Sequence, residues 1–184
     1  MTSQIQRGFS LPQILAAMGI AAMLLSVGLP GMADIAKDAR QVSTANDLLA
    51  DLHFARDLAV RLNTRVTVCP SSNGANCNGA SWNDGRIVFI DADADGAVSG
   101  EETVQRIASE TRNVDVATEA FATSITYRSN GRAMADVARD NTGEFVICDD
   151  RGSMHARALI IDTSGRPHVS QDDANGRIPS CPVS

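Results

Sequence analysis

The stretch Gly8-Phe9-Ser10-Leu11-Pro12-Gln13-Ile14-Leu15-Ala16-Ala17-Met18-Gly19-Ile20-Ala21-Ala22-Met23-Leu24-Leu25-Ser26-Val27-Gly28-Leu29-Pro30, continued by Gly31-Met32-Ala33, decides how the rest of this 184-residue chain is read. Arg7 is the only charge ahead of Asp34. From Phe9 onward the uncharged run is long enough, as a helix, to span a hydrocarbon core of about 30 Å, which takes roughly 20 residues. A secretory signal peptide has a shorter apolar region with a small-x-small cleavage site behind it. Here the processing position lies in front of the run, after Arg7-Gly8. One basic residue on the N-terminal flank puts that end in the cytoplasm and the body outside the inner membrane.

Beyond the run the pattern becomes amphipathic. Ile35, Ala39, Val42, Leu49, Leu52, Ala59 and Leu62 recur at three- and four-residue steps, with Leu48, Phe54 and Leu58 widening the stripe. Asp34, Lys37, Asp38, Arg40, Asp47, Asp51, Arg56 and Asp57 mostly face elsewhere. Pro30-Gly31 is expected to bend or locally melt the helix between its two halves. A continuous helix from Phe9 to Asn63 measures about 80 Å at 1.5 Å per residue.

After Asn63 the period shortens to two. Segments 65–69, 86–90, 124–127, 144–148 and 158–161 are short, β-branched and bounded by turn residues, and 103–107 and 167–170 are weaker strands of the same kind. Turns fall at Asn83-Asp84-Gly85, Ser129-Asn130-Gly131 and Thr163-Ser164-Gly165. One long helix followed by short antiparallel strands is an α+β architecture. With aromatic residues at 4%, its core is built from Ala, Val, Leu and Ile. The polar tail after Val169 carries no periodic pattern. The chain divides into 1–8, a leader; 9–33, a membrane helix; 34–63, the amphipathic half of that helix; and 64–184, a β head with its tail.

Four cysteines in an extracytoplasmic body make two disulfides, with three pairings open. Cys69 with Cys77 closes a short Ser/Asn/Gly-rich loop, and Cys148 with Cys181 then fastens the tail to a core strand. Neither a Cys-x-x-Cys nor clustered His accompanies them, which argues against zinc.

The leader ending in Gly8, with Phe9, Ser10, Leu11, the apolar helix and Pro30, resembles a type IV prepilin. The head narrows the resemblance to the FimT/FimU–GspH family of minor pilins and pseudopilins. The segments that carry it are Cys69-Pro70-Ser71-Ser72-Asn73-Gly74, Cys77, Trp82, Gly85, Val88-Phe89-Ile90-Asp91, Asp95-Gly96, Phe145-Val146-Ile147-Cys148 and Ser164-Gly165-Arg166. The resemblance runs from Gly8 to about Ser170. It implies the pilin fold, a long helix packed on an antiparallel sheet, with cleavage after Gly8 by prepilin peptidase and methylation of Phe9. It also implies assembly with other minor and major pilins or pseudopilins. Gln13 stands where the family usually has Glu, which pairs with the N-terminal amine of a neighbouring subunit. An amide cannot form that ion pair. Gln13 therefore reads either as the cap of a Ser10-x-x-Gln13 box or as the mark of a subunit near the filament tip.

Two further constellations carry chemistry. Asp91, Asp93, Asp95, Ala97 (through its carbonyl) and Glu102 stand at the first, third, fifth, seventh and twelfth positions of a calcium-loop spacing, with Gly96 at the sixth. The bland counterpart is a hydrated acidic hairpin loop. The other is basic. Residues 34–123 carry eight basic and fourteen acidic side chains, whereas residues 124–184 carry seven arginines against eight acids. Gly165-Arg166-Pro167-His168 is similar to the Gly-Arg-x-Arg motif of DNA-binding FimT proteins, with His168 in place of the second Arg. Arg132, Arg151, Arg157 and Arg177 join this patch if the fold gathers them, and extracellular DNA is the partner it implies. The overall net charge of −6 denies the chain a polycationic footprint.

No nucleophile elbow, phosphate loop or paired catalytic carboxylate organises the Ser, His and Asp residues, so the chain reads as a non-enzyme. The expected function is a minor pilin that primes or caps a type IV pilus. The alternatives are a FimT-like minor pilin binding DNA for uptake and a GspH-like pseudopilin of a type II secretion system.

Overall fold

The computed structural model describes residues 10–100, 102–135 and 142–182, with the backbone alone at 27–30. It divides into two units, 1–39 and 40–184. Helix α1 (Leu11–Leu62) runs through both. Ser10 is its N-cap, and Gln13 reaches back so that its Oε1 accepts the Ser10 N–H at 3.0 Å, half of a capping box. Pro12 sits in the first turn, where a missing N–H costs nothing. The helix continues through Pro30-Gly31 without the expected melting. One proline removes one donor from a 52-residue ladder, and the helical turns on either side keep theirs. In the first unit Leu15, Met18, Met23 and Leu24 are all exposed.

Within the second unit the helix buries Gln41, Ala45, Leu48, Leu52, Ala55, Leu58 and Ala59, a clean three-and-four repeat. This shifts the expected stripe. Ile35, Ala39, Val42 (39% exposed) and Leu62 (52% exposed) face outward. Asp51, expected to face solvent, is 2% exposed. It turns inward because Arg86 and Arg106 meet it there: Arg86 Nε lies 2.5 Å and Arg106 Nε 2.8 Å from its two carboxylate oxygens. The helix carries its ion pair into the sheet.

The head holds two antiparallel sheets. The first has the order β3 (Val104–Ala108), β2 (Arg86–Ile90), β1 (Val66–Pro70), β5 (Ile125–Tyr127), β6 (Ala133–Ala135). The second has the order β4 (Asp115–Ala117), β7 (Gly143–Cys148), β8 (Arg157–Ile161), β9 (Pro167–Ser170). Strand alternation builds the core. Val66, Val68 and Val88 from the first sheet, and Phe145, Ile147, Leu159 and Ile161 from the second, meet the helix residues in one cluster. Burying each such Leu, Ile or Phe contributes about 1.5–3 kcal/mol. Trp82 anchors its loop in the same cluster. It donates Nε1–H to the Phe121 carbonyl at 2.9 Å and meets Phe145 edge-on at 4.8 Å.

The opposite faces of both sheets are covered as well, each by a segment tied down with a disulfide. Cys69 joins Cys77, and Cys69, Ile87 and Phe89 form a second cluster with Cys77, Val98 and Val104 against it. Cys148 joins Cys181, and the tail so held lies over Val146, Cys148 and Ala156. At Gly165 (φ 78°) a Cβ would collide with the Gly131 carbonyl, so the β8–β9 turn packs backbone to backbone on the turn before β6.

Candidate functional site

The loop leaving β2 returns to β3 over residues 91–103, and its turns fold the acids onto one point. One carboxylate oxygen from each of Asp91, Asp93, Asp95 and Glu102 lies within 4.8 Å of the others. Asp91, at the start of the loop, is 1% exposed. Its Oδ2 accepts the Thr67 hydroxyl at 2.7 Å, and Thr67 Oγ1 in turn lies 2.7 Å from Thr126 Oγ1. Its Oδ1 is buried with no partner among the described residues. Glu102 closes the loop by accepting Ala92 N–H at 2.7 Å on Oε1 and Ser99 N–H at 3.1 Å on Oε2. Ser99 also sets its hydroxyl 3.2 Å from Asp93 Oδ2. Gly96 (φ 73°) makes the turn, and Ala97 N–H donates to Asp95 Oδ1 at 2.8 Å. A cavity of about 350 Å³ opens beside Asp93, Ser99 and Glu102. Two contributors here escape a reading of the spacing alone. Thr67 comes from β1, and Ser99 stands at the ninth loop position, where a hydroxyl is one acceptable ligand among several.

Two of the basic residues, Arg157 and His168, lie on opposite faces of the second sheet. Arg166 and His168 are exposed, and Arg132 is exposed beside them in the sense that Gly165 packs on the Gly131–Ala133 backbone. Arg157 departs from the expected grouping. Strand alternation puts it on the core-facing side with Leu159 and Ile161, opposite Ile147, and its Nε is buried without a partner among the described residues. His168 is on the other face, in one cross-strand row with Ile160 and Glu144. Glu144 Oε2 accepts the Ala174 N–H at 2.8 Å, so the row also receives the tail. Arg177 is exposed in that tail, where its backbone N–H donates to Asp173 at 2.8 Å. Acids intersperse these cations. Asp162 accepts the Ser164 hydroxyl and the Arg166 backbone N–H, and these bonds hold its carboxyl below the usual carboxylate range.

A groove of about 640 Å³ runs between the helix and β3, past Arg40, Asp47, Arg86, Arg106, Glu110 and Arg112. Three of its arginines are engaged within the molecule: Arg86 and Arg106 on Asp51, Arg112 on Glu110. Gly8 and Phe9, the expected processing residues, lie outside the described residues.

A long N-terminal helix whose apolar half exposes its described side chains, followed by an antiparallel head built on its second half, is the pilin fold. The profile of one family, described as "Type II transport protein GspH", matches residues 44–165, about two thirds of the chain, and the chain belongs to that family of minor pilins and pseudopilins. Two crystal structures of the Pseudomonas aeruginosa type IV minor pilin FimU share the fold. One, in space group P21, is 19% identical with a TM-score of 0.57, covering 74% of this chain and 92% of its own. The other, in space group P65, is 20% identical with a TM-score of 0.54, covering 70% and 90%. No curated protein sequence matches the chain. Leu11–Leu62 contains a stretch long and apolar enough to cross a membrane, and none of that stretch is buried.

Proposed function

We propose that the chain is a minor pilin that primes or caps a type IV pilus. The observation that carries this is the exposed apolar helix on a GspH-family chain whose fold is that of FimU. On this reading prepilin peptidase removes residues 1–8, Phe9 is methylated, and the helix waits in the inner membrane with the head in the periplasm. Ala16, Ala17, Gly19, Ala21 and Ala22 let neighbouring pilin helices approach closely. Gln13 acts as the helix cap, its Oε1 accepting the Ser10 N–H; a place near the filament tip, where no earlier subunit's amine awaits a carboxylate, is the alternative reading of the same residue. The function is one of assembly rather than catalysis.

A second reading, a pseudopilin of a type II secretion system, is favoured by the description of the family itself. Chromosomal deletion separates the two. A priming role predicts far fewer filaments per cell with normal exoprotein secretion, restored by the plasmid-borne gene. Unchanged filament number with lost secretion contradicts it and selects the pseudopilin. DNA uptake has the least support: among the described residues the turn at Gly165 brings Arg166 near the backbone at Arg132, while Arg157 faces the core and acids flank the rest.

A further inference from the structure

We propose that the Asp91–Glu102 loop is a calcium site in the head. Four carboxylates crowded within 4.8 Å repel one another unless a cation lies among them, and among the described residues none of the four is ion-paired with an Arg or Lys. The second observation is independent of the crowding. Asp91 is almost wholly buried, one of its oxygens is held by Thr67, and the other has no hydrogen-bond partner among the described residues. A buried carboxylate oxygen without a donor is costly, and a metal ion is the partner that would satisfy it together with its three neighbours.

The donor set selects the metal. All the groups the loop offers are hard oxygens: the four carboxylates gathered within 4.8 Å, with the Ala97 carbonyl at the seventh position and the Ser99 hydroxyl at the ninth offered by the calcium-loop spacing. This is the number and kind that Ca²⁺ takes at 2.3–2.6 Å in a flexible loop, and it lacks the His or Cys that zinc and copper favour. Mg²⁺ demands near-ideal octahedral geometry and keeps its waters. The cavity beside Asp93, Ser99 and Glu102 leaves room for solvent ligands. Binding would also tighten the head. The loop carries Val98 onto Phe89 and Ile87, and Asp91 reaches β1 and β5 through Thr67 and Thr126. An ion at the loop therefore braces the outer face of the first sheet.

The test is calorimetric titration of the chelator-stripped full chain in detergent micelles with CaCl2, beside MgCl2, accompanied by thermal melts. The expected result is one site with a dissociation constant between about 10⁻⁴ and 10⁻³ M, the range of extracellular calcium modules, and a rise in melting temperature with added calcium. Asp93→Asn and Glu102→Gln are expected to weaken binding at least about tenfold, and Asp93→Asn, which removes one of the four mutually repelling charges, is expected to melt no lower than the stripped wild type. Absence of both heat and thermal shift at about 10 mM CaCl2 overturns the proposal, since it lies well beyond that range. So does an undiminished titration in both variants, or an equal response to MgCl2. These outcomes concern the head alone and leave the assembly reading to its own test.

Discussion

Asp51 shows how a single side chain is judged by where the fold puts it. Its carboxylate is 2% exposed and bridges Arg86, itself nearly buried, to the half-exposed Arg106, whose guanidinium lies 5.8 Å from the centre of the Phe54 ring. Two charges have been taken out of water, so the pair adds little over a well-packed apolar substitute, yet removing one member strands the other. Asp51→Ala is therefore expected to lower the unfolding free energy by about 3–5 kcal/mol. Asp57→Ala, which loses only the exposed helical pair with Arg61, is expected to cost under about 0.5 kcal/mol. Urea unfolding of the full chain in micelles, followed by the fluorescence of the single buried Trp82, measures both. Similar losses in the two variants would refute the buried bridge. Asp51 was misplaced by its sequence because helical periodicity reports hydrophobicity, and a carboxylate among Leu48, Leu52 and Ala55 counts as a solvent position until its arginines arrive from β2 and β3. Val42 and Leu62 are the converse, apolar residues in phase with the stripe that the head simply does not reach.

Among elements, the tail tether is the most sensitive to conditions. Cys148 and Cys181 hold it, Cys181 N–H donates to Ser153 Oγ at 3.1 Å, and Asp149 beside Cys148 accepts a forked contact from Arg151, the shortest arm 2.7 Å. Burial pushes the Asp149 carboxyl up, but the side-chain and backbone bonds from Arg151 outweigh it and leave the carboxyl below its usual value. A folded pKa below the unfolded one stabilises the head above the unfolded value and loses that stabilisation as pH falls through the folded one. Melting temperature is thus expected to hold steady from pH 7 to about pH 5 and to drop below about pH 4. Asp149→Asn should lower stability at pH 7 by about 2 kcal/mol and flatten the acid limb. An acid limb as steep in the variant as in the wild type would dismiss this assignment. The stronger strands were legible because β-branched runs between Gly and Asn signals speak for themselves. Strands β4 and β6 were not. Asp115-Val116-Ala117 and Ala133-Met134-Ala135 are three residues each, and they are strands because β7 and β5 offer them edges. In the acidic loop the ligand spacing was visible in the chain, whereas the buried, half-satisfied state of Asp91 depends on Thr67 from a strand 24 residues away.

Taken whole, the chain joins a helix that exposes its apolar side chains to a head that covers both faces of its sheets. Leu11, Met18 and Met23 are each at least 66% exposed, and a continuous apolar surface of that kind must be met by lipid or by other helices. In the head, disulfide-held segments lie on the sheet faces away from the helix. This division is what allows one molecule to wait in a membrane and then join a filament. The most direct measurement is mass spectrometry of filaments sheared from wild-type cells, with the N-terminal peptide of this chain identified. The expected result is a trace component whose chain begins at N-methylated Phe9. Recovery of the chain only from membranes, with Met1 to Gly8 still attached, would contradict the minor-pilin reading.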